Sequence, residues 1–185
     1  MSKLKGLLLT EGMHGMISQV EGLAKGLDID FTHQKVELKG FWKLIPPRFT
    51  PKSDISFNNF DFPNVDLIIS CGRKSVVPSI YLKKSSKKKI YNIHIQDPKV
   101  DFNYFDFIIA PEHDGITGPN VILTKGAIHY LTALEIEKNI NYLNNFFSPW
   151  VEASEIPLSV INAVTYFAGV ISNARLIALL LLGYI

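Results

Sequence analysis

The sequence predicts a doubly wound, mostly parallel α/β sheet, and three observations carry that expectation. Apolar residues fill consecutive positions within 65–70, at Leu67-Ile68-Ile69, and within 105–110, at Phe107-Ile108-Ile109-Ala110, where strict alternation would mark a strand with one wet face. Strands buried on both faces need that composition, and parallel sheets bury both faces. Such runs alternate with segments of helical period, and several end at a glycine or a polar cluster.

In chain order, residues 4–10 read as a buried strand that stops at the loop Glu11-Gly12-Met13-His14-Gly15. Ile17, Val20, Leu23, Ala24 and Leu27 then recur at helical steps and give one apolar stripe. Residues 30–38 read as a second strand, with Phe31, His33 and Lys35 alternating imperfectly with Thr32, Gln34 and Val36. Residues 46–64 hold no sustained period and read as loop. Residues 65–70 form a buried strand ending at Cys71-Gly72-Arg73, and a short helix follows with Val76, Val77, Ile80 and Tyr81 on one side. Residues 90–96 alternate Ile93 and Ile95 with Asn92, His94 and Gln96. Residues 105–110 repeat the form of 65–70, and residues 121–124 supply a last strand. Thr132 and Glu135 have capping-box spacing before a helix with Ala133, Ile136, Ile140, Leu143 and Phe147 inward.

The 185 residues suffice for one domain with its own core, and their 47% apolar and 19% charged content is that of a globular chain. A net charge of +2 gives no case for nucleic acid. The local excess lies in Lys83, Lys84, Lys87, Lys88 and Lys89. That run reads as a solvated helix end, with an anionic membrane surface as the alternative partner. The single cysteine, Cys71, excludes an internal disulfide, and the short apolar run at 7–9 is no signal peptide, so the expectation is a cytoplasmic protein. Residues 158–185 carry one charge, Arg175. They read as buried helices, as a membrane-contacting span interrupted by that arginine, or as an abnormal carboxyl end.

In an open parallel sheet, ligands bind beyond the carboxyl ends of the strands. That rule selects Gly12, His14 and Gly15, then Gly72, Arg73 and Ser75, then Gln96 and Asp97, and then Glu112, His113 and Asp114. The loop Gly115 to Asn120, with Gly118 and Pro119, lies beside the last of these. His14 is a candidate base for an acceptor hydroxyl near a helix start, and Arg73 a grip for phosphate or carboxylate. Glu112-His113-Asp114 is the densest ionisable cluster, with either acid placed to orient His113. No metal-ligand spacing is present, and Gly12-x-x-Gly15 lacks the third glycine of a dinucleotide fingerprint, so neither a metal nor a nicotinamide cofactor is expected. His33, His94 and His129 read as structural.

The strings Gly72-Arg73-Lys74-Ser75, Gln96-Asp97-Pro98, Pro111-Glu112-His113-Asp114, Gly118-Pro119-Asn120-Val121 and Gly126-Ala127-Ile128-His129 together resemble the bacterial relatives of the mitochondrial-fission "elongated mitochondria" family. Gly12, His14, Gly15, Gln19 and Gly22-Leu23-Ala24 match its opening. The resemblance spans roughly residues 4–143. It implies the amino-terminal, Rossmann-like domain of a GT-B glycosyltransferase fold. In such folds this half receives the acceptor, a small molecule or lipid-linked sugar, and a second domain holds the sugar nucleotide. It further implies that His14, Arg73, Gln96, Asp97, His113, Asp114 and Asn120 line the acceptor side. Plant members are associated with recruiting a fission dynamin. The resemblance fades after Phe147, where the family continues into a second domain. Residues 1–147 therefore read as the acceptor-side domain, inactive alone, and 148–185 as an apolar tail at a truncated end. The competing expectation is a non-catalytic adaptor or membrane-surface domain.

Overall fold

The computed structural model describes residues 3–58 and 62–128. The helix expected from Thr132, His129, the boundary at 147 and the apolar tail lie outside the described residues.

Six strands form one sheet: β1 (Lys5–Thr10), β2 (Asp30–Lys35), β3 (Leu67–Cys71), β4 (Tyr91–Ile95), β5 (Phe107–Pro111) and β6 (Val121–Thr124). Their order is β2-β1-β3-β4-β5-β6, and every neighbouring pair is parallel. The expected α/β class and parallel sheet are therefore what the chain adopts. Helix α1 (His14–Gly26) follows β1, and helix α2 (Val76–Ser85) follows β3.

The two helices cover opposite faces. Leu8, Leu67, Ile69, Ile93 and Ile95 pack with Val20 and Ala24 of α1, while the alternating residues Leu7, Leu9 and Ile68 pack with Leu82 of α2. Leu7, Leu8 and Leu9 are all fully buried, which explains the unbroken apolar run. Each such side chain contributes about 1.5–3 kcal/mol by leaving water.

One apolar side is expected of α2, yet Val76 to Ile80 are all buried, because the chain from Leu38 to Phe57 packs on its outer surface. Val76 and Ile80 meet the sheet side with Ile108, whereas Val77 packs with Leu38, Phe57 and Trp42. That connection is more ordered than its lack of period suggested. Leu38 and Phe57 pair in an antiparallel bridge, and the chain between them makes three short 3-10 turns. Strand β2 is also shorter than expected. It ends at Lys35, as an edge strand with half-exposed side chains, before Val36 and Leu38 turn inward to the α2 side.

The resemblance between 65–70 and 105–110 has a physical cause. Asp66 donates its N–H to the Lys5 carbonyl and accepts the Lys5 N–H on its carboxylate, both at 2.8 Å. Asp106 does the same with Asn92, at 2.9 and 2.7 Å. Each aspartate thus starts its own strand by pairing reciprocally with the beginning of the strand beside it. Lys88 and Lys83 neutralise the two carboxylates at 3.0 and 2.7 Å.

Strand β4 read as alternating, but its polar positions are buried as well. Asn92 and His94 are within 1% of full burial, as a central strand requires. His94 Nδ1 lies 2.9 Å from Ser70 Oγ, and its ring packs against Phe105. Burial, opposed weakly by Asp97, pushes the His94 pKa down to about 3. The unfolded chain takes up this proton near the ordinary imidazole value, and the folded chain does not. Stability therefore falls as pH drops below about 6.5, by up to about 1.4 kcal/mol per unit. Urea denaturation between pH 6.5 and 4.5, above the main carboxylate titrations, reads this slope. It should be clearly shallower in His94→Gln, and an unchanged slope contradicts the assignment. Gly72 has φ 91° and ψ 156°, a region only glycine enters readily. Gly72→Ala should cost on the order of 1–3 kcal/mol in the same assay at pH 7.

Candidate functional site at the carboxyl edge of the sheet

Parallel pairing sends the carboxyl ends of all six strands to one edge. Going across that edge, β1 delivers Glu11, Gly12 and His14, β3 delivers Gly72 and Arg73, β4 delivers Gln96 and Asp97, and β5 delivers Glu112, His113 and Asp114. The chain turns sharply at each exit, with positive φ at Gly12 (88°), Gly72 (91°), Gln96 (83°) and Gly115 (66°). Gln96 is the strained member, since it carries a side chain, and its N–H donates to the Ile109 carbonyl at 2.8 Å. The connection from β1 leads outward to β2, and the connection from β3 leads the other way to β4. The crevice between β1 and β3 is therefore the topological switch point, the usual ligand position in open α/β sheets.

The switch point is closely built. A Cβ on Gly72 would fall 2.6 Å from Met16 Sδ, so the absent side chain lets the first turn of α1 sit against the end of β3. His14 and Gly15 share that first turn, and no side chain caps its amides. Glu11 joins the two strand ends: its carboxylate pairs with Lys74 Nζ at 2.7 Å and accepts the Lys74 N–H at 3.0 Å. Burial pushes the Glu11 carboxyl up, but the hydrogen bonds from Lys74 outweigh it and hold the group below its usual range. Thr10, fully buried, accepts the Gly12 N–H at 3.1 Å and lies 2.8 Å from His33 Nε2. Burial lowers the His33 pKa, with Glu21 opposing, so His33 serves this loop as a neutral ring, in keeping with its structural reading. Cys71 is buried beneath the same crevice. Burial and the Glu11 charge push its thiol up to about 12, which rules it out as a nucleophile at neutral pH.

His14 and Arg73 are exposed at the crevice, and the Arg73 guanidinium donates to the Lys43 carbonyl at 2.5 Å. Gly12, Gly15 and Gln19 are half-buried around α1. Ser75 is fully buried, and its hydroxyl donates to the Gly72 carbonyl at 2.7 Å, so it shapes the turn and does not face solvent. Beyond β4, Asp97 accepts the Lys99 N–H at 2.8 Å and pairs with Lys99 Nζ at 2.6 Å. That pairing raises the Lys99 pKa, and Asp114 adds to it from the β5 exit. His113 is 76% exposed, and its Nε2 lies 3.7 Å from Asp114 Oδ1, beyond hydrogen-bond reach. At that distance the Asp114 carboxylate lies beside the ring without hydrogen-bonding to it. Glu112 is exposed beside it and makes the turn with Gly115. β1 and β5 are three strand steps apart, roughly 14 Å, so His14 and His113 do not meet at one bond.

Two expected members do not reach this edge. Gly118 and Asn120 precede β6 and so lie at the amino edge of the sheet. There the Asn120 amide donates to the Phe102 and Phe105 carbonyls, both at 2.9 Å, and a Cβ on Gly118 would crowd Phe102. These residues tie the connection that precedes β5 to the start of β6. The lysine run is at the amino edge as well. Lys83 and Lys88 pair with Asp106 and Asp66, Lys84 sits over Tyr104 and Lys89 over Tyr91. Sequence reasoning passed over Glu11 and Lys74, although a glutamate directly after a buried strand and a lysine inside the Gly72 string were available as signals. Among the described residues, no group of three or more His, Cys, Asp or Glu side chains is placed to hold a metal, and no helix is long and apolar enough to cross a membrane.

Known proteins agree with the resemblance drawn from the strings. The chain is 41% identical over 64 residues to an uncharacterized protein of Rickettsia prowazekii (strain Madrid E), covering 32% of this chain and 18% of that protein. It is 24% identical over 119 residues to the mitochondrial fission protein ELM1 of Arabidopsis thaliana, covering 52% of this chain and 27% of that protein. The matches therefore span less than a third of either relative. No solved structure matches the chain significantly. The profile of the mitochondrial fission ELM1 family matches residues 14–156, most of the sequence, and the chain belongs to that family.

Proposed function

We propose that residues 3–128 form the acceptor-binding lobe of a GT-B-type glycosyltransferase, completed by a second α/β lobe that holds a sugar nucleotide. The observation that carries this reading is the β1/β3 switch point. There an uncapped helix start that carries the exposed His14 lies next to a strand end that carries the exposed Arg73, with Gly72 letting the two elements approach closely. A phosphate-bearing acceptor, such as a lipid-linked sugar, suits the first-turn amides of α1 and the Arg73 guanidinium.

In this reading His14 takes the proton from the acceptor hydroxyl as its oxygen attacks the anomeric carbon of the donor sugar. The bond from that carbon to the nucleotide phosphate breaks, and the nucleoside diphosphate leaves with the electron pair. The Glu11–Lys74 pair holds the two strand ends at a fixed separation and positions His14 without touching the reacting atoms. His113 is assigned to the neighbouring β4/β5 exits, where it meets a more distant part of the acceptor.

The test is sugar transfer by the chain supplied with the carboxyl-terminal lobe of a longer family member. His14→Ala should lower kcat by a factor of roughly 10²–10⁴. His113→Ala should raise KM while changing kcat less than about tenfold. The reverse pattern moves the base to His113. A folded, assembled pair that transfers no sugar to lipid-linked or soluble acceptors removes the transferase reading.

A further inference from the structure

The loop between Leu38 and Phe57 takes no part in the chemistry above, yet its surface is distinctive. Phe41, Leu44, Phe49 and Ile55 are 61%, 81%, 63% and 60% exposed. The outer faces of these side chains meet solvent, while the Phe41 ring rests at 4.2 Å on the Trp42 ring beneath it. Fraying does not account for this exposure, because the loop is tied down throughout. The Leu38–Phe57 bridge closes its base through Lys39 N–H to Ser56 O and Asn58 N–H to Glu37 O, both 2.9 Å. Inside it, Ser56 Oγ donates to Pro51 O at 2.8 Å and Thr50 Oγ1 to Pro46 O at 3.1 Å. Trp42 packs inward against the cluster over α2, and the adjacent Phe41 is left outward.

The charges on the loop match the apolar display. Lys39, Lys43, Arg48 and Lys52 stand against the single acid Asp54. The Arg48 guanidinium lies 4.4 Å from the centre of the Phe49 ring, which keeps a cation and an aromatic side by side. Exposed Phe and Leu mixed with Lys and Arg suit the headgroup layer of an anionic bilayer, where rings enter the interface and cations meet lipid phosphates. The loop also borders the switch point, since Arg73 donates to the carbonyl of Lys43.

We propose that residues 39–55 seat this domain on an anionic lipid bilayer, with Phe41, Leu44 and Phe49 entering the interface and Lys43 and Arg48 facing the phosphates. This deepens the reading of the crevice as a site for a lipid-linked acceptor: the crevice would open beside the membrane that carries it. It also moves the expected membrane contact away from Lys83, Lys84, Lys87, Lys88 and Lys89, four of which already have partners within the domain.

Flotation of the full chain with phosphatidylglycerol/phosphatidylcholine vesicles, and with phosphatidylcholine alone, tests the proposal without any sugar nucleotide. A negative result therefore leaves the transferase reading to its own assay. The chain should float with the anionic vesicles only. A Phe41→Ser/Leu44→Ser/Phe49→Ser variant and a Lys43→Glu/Arg48→Glu variant should each lose about tenfold or more in affinity. A Lys87→Glu/Lys88→Glu/Lys89→Glu variant should stay within about twofold of the parent chain, and circular dichroism checks that all three fold. No flotation of the parent chain, or undiminished flotation of the serine variant, overturns the proposal. So does a loss confined to the lysine-run variant. If the serine variant alters only the sedimentation of the free chain, the loop is a contact between copies and the proposal also falls.

Discussion

Parallel hydrogen bonding between every pair of neighbouring strands constrains everything else in this domain. A parallel strand begins at the same edge as its neighbour, so each connection must carry the chain back across the sheet before the next strand starts. Both faces are then covered, which is why Leu7, Leu8 and Leu9 are buried together and why Asn92 and His94 are buried in a strand that looks amphipathic. The same constraint sorts the turns into two populations. Exits gather at one edge and entries at the other, and the two edges carry different chemistry.

At the entry edge the charged groups pair with one another. Asp66 and Asp106 organise the starts of neighbouring strands and are matched by Lys88 and Lys83, and Asn120 holds the carbonyls of the connection before β5. Such groups maintain the architecture and have little left for a ligand. At the exit edge the pairing is incomplete. Glu11 and Lys74 are matched, as are Asp97 and Lys99, whereas His14 stands exposed at the start of α1 and His113 on the turn after β5, with the Asp114 carboxylate 3.7 Å away. Left-handed backbone recurs here as well, relieved by glycine at Gly12 and Gly72 and strained at Gln96 and Lys99, which carry side chains. Strain and exposed polar groups on well-packed supports are the usual mark of a binding edge.

Much of this was legible in the chain itself, because burial on both faces leaves a composition that does not depend on distant contacts. Runs such as 65–70 and 105–110 announce their strands, and the strand-end rule then finds His14, Arg73 and His113. Nearness in sequence and the family resemblance group Gly118 and Asn120 with the exit edge, yet they have already crossed the sheet to begin β6. Their string is distinctive because a tight connection needs it. The segment 46–64 reads as loop, and the part of it up to Phe57 is more ordered than that for a similar reason. Its order comes from a bridge between residues far apart in sequence and from packing on α2, neither of which has a period. The Glu11–Lys74 pair also joins two strand ends that are separated by the whole β2 excursion.

Two-dimensional amide NMR of the nitrogen-15-labelled chain, titrated with geranyl phosphate as a short lipid-phosphate probe, examines the central claim directly. The account predicts saturable shifts centred on Gly12, His14, Gly15, Gly72 and Arg73 at the β1/β3 crevice. Shifts confined to the amino edge, around Gly118 to Asn120 and the lysine run, or the absence of any saturable shift at the crevice, would contradict it.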